Sequence, residues 1–229
     1  MKLYEPLPPL RLNGPVYGYI LLIATLLTTV LVAHHPVANM HDHGQAIANI
    51  AAIAEANRWV HGGVSALAIL SAVAFSGFAW RLGIEHPAVM AGWLCYVFGT
   101  FMLLLAALFD GFIITDLAAL FAKDPAAHPA AYDIIMASGT TLQALAKLGL
   151  VLIGFALVLW AHALAHHRGM ARVVAALAFV TGGLSAAYVL ALPGGINKDG
   201  LFWLLVGQTV WNLAVALWMI RGPKRPVST

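Results

Sequence analysis

The run VYGYILLIATLLTTVLVA, Val16 to Ala33, carries no charged residue, and it is followed at once by HHPVANMHDH, His34 to His43. A helix that crosses a bilayer needs about 20 mostly apolar residues. The run meets that length, and the chain holds five more stretches like it. The sequence of 229 residues is 62% hydrophobic and only 9% charged, with a mean hydropathy of +0.87. A soluble domain of this size has too little interior to hide so much apolar side chain. Continuous apolar runs also exclude a β-barrel, whose strands alternate polar and apolar residues. The fold class is therefore all-α: a polytopic bundle of six transmembrane helices.

The expected spans are Val16–Ala33, His61–Leu82, Pro87–Phe109, Ile134–Leu164, Val173–Leu192 and Leu201–Ile220. A helical stretch from Gln45 to Val60 precedes the second. Pro87 suits a first helical turn. The fourth span is longer than a bilayer requires, so it tilts or projects. Pro193-Gly194-Gly195 stops the fifth span and Arg221-Gly222-Pro223 the sixth. Met1 to Pro15 holds four prolines, Pro6, Pro8, Pro9 and Pro15. It lacks the basic-then-apolar start of a cleaved signal, so the first run is expected to remain as a helix. The whole chain, 1–229, reads as one membrane domain. Residues 1–15 form a cytoplasmic N-terminal segment, 34–60 an outer histidine-rich loop and helix, and 221–229 a cytoplasmic tail.

Basic residues give the orientation. Lys2, Arg11, Arg81, Arg168, Arg172, Arg221, Lys224 and Arg225 fall on one side of the six spans. Arg58, Lys123 and Lys198 fall on the other. Both termini are thus expected in the cytoplasm, and the protein is expected in a cell inner membrane. The opposite face collects Asp42, Glu55, Asp116, Asp124, Asp133 and Asp199, with His34, His35, His41, His43, His61 and His128.

Imidazole is the commonest protein ligand for zinc, copper, iron and nickel. The outer loop offers His35, His41 and His43, and Met40 would favour a soft ion if its sulfur took part. His41 and His43, one residue apart, point the same way in an extended chain. Glu55, Arg58 and His61 follow at intervals of three along one helix, and Asp110 and Asp116 close the third span on the same side. The candidate metal ligands are therefore His35, His41, His43, His61, Glu55 and Asp110, for copper, zinc or nickel. The other reading is that these are interfacial polar residues holding no ion. His35-Pro36 followed by Asp42-His43 resembles the His-Pro…Asp-His motif of six-helix nickel permeases. Here the spacer is one residue longer, and Asn39 stands at the motif's glycine. The match spans under a tenth of the chain, which is not assigned to that family.

Lys147 lies within the fourth span. An intramembrane charge costs about 2.5–3.5 kcal/mol on insertion scales, so it normally faces the bundle interior and pairs. Asp110 is the expected partner, as a substrate or proton site or as a packing ion pair. On the cytoplasmic side, His86, His162, His166 and His167 admit a b-type haem held between two helices. The basic end of a span, His166-His167-Arg168, accounts for them better. The single cysteine, Cys95, permits neither an internal disulfide nor a cysteine metal cage. Zinc-protease, Walker, nucleophile-elbow and Cys-x-x-Cys motifs are absent. The basic residues cluster at helix ends, so the net charge of +3 does not point to nucleic acid. The expected partners are the lipid bilayer, a metal ion, and subunits of a membrane complex or further copies of the chain. Three functions fit: a metal-binding protein acting in transport or as a bound centre, a non-catalytic subunit, or a metal-dependent or redox membrane enzyme.

Overall fold

The computed structural model describes residues 14–38, 45–124, 127–192, 194–196 and 198–221. Among these there is no strand. The elements are α1 (Gly14–Ala33), α2 (Ala46–Ala52), α3 (Ala54–Leu82), α4 (Pro87–Leu108), a π-helical segment (Phe109–Ile114), α5 (Thr115–Phe121), α6 (Ala131–Leu164), α7 (Met170–Ala191) and α8 (Lys198–Arg221). Six stretches are long and apolar enough to cross a membrane, with α4, the π segment and α5 forming one of them.

The six long helices pack as a closed ring, in the order α1, α3, α4, α6, α7, α8 and back to α1. An even number of crossings brings the start of α1 beside the end of α8. The Arg81 guanidinium seals that end: it donates to the Met219 carbonyl at 2.8 Å and lies 4.3 Å over the Trp218 ring. Close approach is possible where α4 crosses α6, because a Cβ on either Gly99 or Gly149 would lie 2.8 Å from the other's carbonyl oxygen. Small residues at such crossings let backbones touch, which is how helices gain contact where lipid removes the hydrophobic drive. Large side chains such as Leu184, Leu190 and Phe179 face outward. In a bilayer that exposure carries no penalty.

The half of the ring nearer Arg81 is filled by aromatic rings. Phe75 stacks on Trp211 at 5.0 Å and on Trp160 at 5.6 Å. Tyr96 packs against Phe75 at 4.4 Å, and Phe78 meets Trp160 edge-on. All five are buried. The opposite end has its own small core of Ile50, Ile114, Ala118, Phe121, Ala131 and Ile135. It ties α2 and α5 to the projecting start of α6, a helix of 34 residues that is about 51 Å long.

Two expectations about elements need correction. The third span does not stop at Phe109; it runs to Phe121 through the π segment, so Asp110 and Asp116 sit inside a helix rather than at its end. Charged residues near a membrane surface look like a terminus in the sequence. Here their polar partners and the small core at that end let the helix continue. The stretch Gln45–Val60 is not one helix, because the chain turns at Ile53 between α2 and α3.

Candidate metal centre

Three side chains from three elements meet at the end of the ring opposite Arg81. His35 follows α1, His61 lies about one-quarter of the way along α3, and Asp110 sits in the π segment. His35 Nε2 is 2.8 Å from His61 Nε2, and the rings meet edge-on with centroids 4.9 Å apart. His61 Nε2 is 3.2 Å from Asp110 Oδ2. One ligand atom from each residue lies within 4.8 Å of the other two. Two ligands bound at about 2.05 Å in a tetrahedral site stand roughly 3.3 Å apart. The two short separations therefore lie within about half an ångström of that spacing.

The local backbone explains why these groups converge. A π turn holds one more residue than an α turn and disturbs the regular carbonyl pairing. Side chains take up the exposed carbonyls here. Asn57 Nδ2 donates to the Asp110 carbonyl at 3.0 Å, and Thr115 Oγ1 donates to those of Gly111 and Phe112 at 2.9 and 3.1 Å. Both side chains are buried. Asn57 lies four residues before His61, on the same face of α3, so one face grips the π backbone and also presents the imidazole. Gly111 supplies the room: a Cβ there would overlap the His61 side chain.

Proton accounting makes the cluster unusual. An imidazole nitrogen has one in-plane position, filled by a proton or by a lone pair. His61 Nε2 faces both a second imidazole nitrogen and a carboxylate oxygen. If it is protonated and donates to Asp110, it opposes His35 with a filled position. If it is bare and accepts from His35, its lone pair faces a carboxylate. Neutral rings thus meet both contacts only by sharing one N–H in a three-centred hydrogen bond, whereas a cation between the three atoms satisfies all of them. Burial first, and the His61 imidazole second, hold the His35 ring below the ordinary histidine range. Asp110 and a hydrogen bond at the Pro36 backbone pull the other way. A lowered value disfavours the imidazolium, and ligation requires the neutral ring.

No family model, curated protein or solved structure matches the chain.

The remaining sequence candidates are distributed as follows. His41 and His43, with Met40 and Asp42, lie outside the described residues. Glu55 is exposed and is not part of the cluster; it borders a surface depression with Arg58, Trp59 and Phe112. Arg58 turns to Asp116 in an ion pair that is largely exposed and so contributes little. His128 lies against the Phe121 ring at 4.9 Å. His86, His162, His166 and His167 are all exposed at the opposite end. Asn57, Gly111 and Thr115 were not legible as site residues. The one sequence signal was the four-residue spacing of Asn57 and His61.

The expected Asp110–Lys147 pair does not form. Asp110 engages His61, while Lys147 Nζ donates to the Leu192 carbonyl at 3.3 Å and to that of Gly194. The ammonium thus caps the end of α7, where unpaired carbonyls attract a cation. Gln143, one turn away, accepts from the Ile196 amide at 3.0 Å and holds the same turn. Lys147→Met is expected to destabilise the fold by about 1.5–3 kcal/mol, as for hydrogen bonds to a charged group. Combined with Asp110→Asn, the effects should add within about 0.5 kcal/mol, as for sites without shared partners. Thermal unfolding of the two single variants and the double variant measures this. Rescue by the double change would restore the direct pair.

Proposed function

We propose that this multi-pass membrane protein holds one divalent transition-metal ion between His35, His61 and Asp110. The observation that supports the reading is His61 Nε2 set against two acceptor-capable atoms at once, 2.8 and 3.2 Å away. Two imidazoles and one carboxylate suit borderline divalent ions such as zinc, nickel, Cu(II) or Fe(II). Without a sulfur donor the set is poor for Cu(I). Three protein ligands leave a fourth position for water or a bound molecule. Asn57 and Thr115 fix the backbone that carries Asp110, the kind of outer support that tunes a metal site.

Basic residues gather at the other end of the bundle, which favours an extracytoplasmic position for the centre in a bacterial inner membrane. The aromatic layer of Phe75, Phe78, Tyr96, Trp160 and Trp211 closes the ring beneath it. That closure favours a resident centre over a conduit. Elemental mass spectrometry of protein extracted in mild detergent tests the reading. About one divalent ion per chain is expected, removable by a chelator and restored by adding back the metal. Metal at the same trace level in wild type and in His61→Ala, with no uptake on addition, would remove the proposal.

A further inference from the structure

Directly below the three ligands lies a partly open cavity of about 200 Å³ within the helical ring. Its upper wall includes Val32, Val64 and Ala107. Each stands three residues from one of the three ligands, so the cavity begins one helical turn below them. It continues along α3 to Ser71, and its lower wall includes Tyr96 of the aromatic layer. All six long helices contribute to the lining.

The chemistry of that lining is specific. Among the described residues it contains no Asp, Glu, Lys, Arg or His, so a charged occupant would have no counter-charge from them inside a membrane. It is nevertheless not plainly apolar. Tyr96 and Thr100 of α4 stand across the ring from Gln208 and Asn212 of α8, while Thr25 and Ser65 flank them from α1 and α3. The α6 wall is aliphatic, with Leu150, Ile153 and Leu157. Gln208 Nε2 donates to Asn212 Oδ1 at 2.9 Å, which orients both amides. Thr25 is 4% exposed, yet its hydroxyl has no hydrogen-bond partner. A buried hydroxyl without a partner is costly, and a polar occupant would remove that cost once the side chain turns its hydroxyl into the chamber.

We propose that this chamber binds an uncharged, membrane-soluble molecule about the size of a substituted benzene ring, with hydrogen-bonding groups at both ends. The size follows from volume: a cavity of about 150 Å³ accommodates benzene, and this one has room for two small substituents more. The aliphatic wall takes the face of the ring. The opposed walls of α4 and α8 take its polar ends. The occupant is independent of the metal, although it would lie within one turn of it.

The test uses the full chain in lipid nanodiscs with a chelator present, so that a failed metal reading does not decide it. Hydroquinone, para-xylene and benzoate, each built on one benzene ring, serve as probes, read by equilibrium dialysis. Hydroquinone is expected to bind saturably. Para-xylene should bind at least about tenfold more weakly, as befits the loss of two hydrogen bonds, and benzoate should not bind. Ala68→Phe, which fills the chamber, should abolish hydroquinone binding. Ser65→Leu is a second filling variant should the first fail to fold. Thr25→Val, which keeps shape and removes the hydroxyl, should weaken binding about tenfold. Three outcomes overturn the proposal. One is hydroquinone uptake no greater than into empty nanodiscs, which leaves only water in the chamber. Another is equal binding of para-xylene with no effect of Thr25→Val, which indicates a lipid chain. The last is saturable binding unchanged in both filling variants, which places it elsewhere.

Discussion

Replacing His61 by alanine is expected to lower metal affinity at least a hundredfold, more than any other single change in the protein. Structural zinc sites with four ligands bind with about 10–16 kcal/mol, or roughly 3 kcal/mol per ligand. A loss of about 2.7 kcal/mol is already a hundredfold. His61 should exceed that average because it is the shared member: its Nε2 faces His35 at 2.8 Å and Asp110 at 3.2 Å. Without it, the two remaining ligands come from separate segments, the chain after α1 and the π segment, with nothing between them. His35→Ala leaves the His61–Asp110 pair intact and should cost less. Asp110→Asn retains the shape but removes the charge that balances the cation, and should fall between the two. The checking measurement is the shift of the unfolding midpoint on adding metal. A ligand that binds only the folded state at 100 times its Kd stabilises by about 2.7 kcal/mol. Wild type should show a shift of that order, and His61→Ala at most about 0.4 kcal/mol at the same metal concentration. Equal shifts in both would place the ion elsewhere on the chain.

Much of the architecture was legible because lipid imposes a simple rule. Continuous apolar runs must be helices, and Val16–Ala33 or Pro87–Leu108 allow no other reading. Helix ends near the surface follow no such rule. Asp110 and Asp116 looked like a terminus, yet Asn57 and Arg58 on α3 supply partners that carry the helix past both. The π turn left no trace in the sequence, since its cause is the match between Asn57, Thr115 and the backbone between them. For the centre, residue type and side were readable. That His35, His61 and Asp110 meet is not, because it depends on α1, α3 and α4 being neighbours with those residues at one depth. Glu55 shows the converse: helical spacing placed it near His61, while its face of α3 turns outward. Lys147 misled for a related reason. An intramembrane ammonium suggests a carboxylate partner, but carbonyls released at the end of α7 satisfy it as well, and backbone groups are invisible to an inventory of side chains.

The second large effect concerns a residue with no chemistry of its own. Gly111→Ala adds one methyl group to the π segment, and two contributions oppose each other. Alanine is the better helix former by up to about 1 kcal/mol, which alone would stabilise the protein. The added Cβ, however, would overlap the His61 Cβ and lie 2.9 Å from its Cγ. Carbon atoms settle at about 3.5–4.0 Å, so α3 and the π segment must part by at least roughly 0.6 Å. Overpacking of this kind costs about 1–3 kcal/mol, which outweighs the propensity gain. The effect on the centre is larger still, because metal–ligand distances tolerate only about 0.2 Å. Gly111→Ala should therefore lose metal nearly as completely as His61→Ala, although all three ligands remain. Gly139→Ala is the internal comparison: it is also helical, and a Cβ there meets nothing within 4 Å. It should stabilise by a few tenths to about 1 kcal/mol and keep the ion. Metal retained in Gly111→Ala at the wild-type level would mean that the close seat of His61 on Gly111 does not position the ligand, and the centre would then have to be sought away from the π segment.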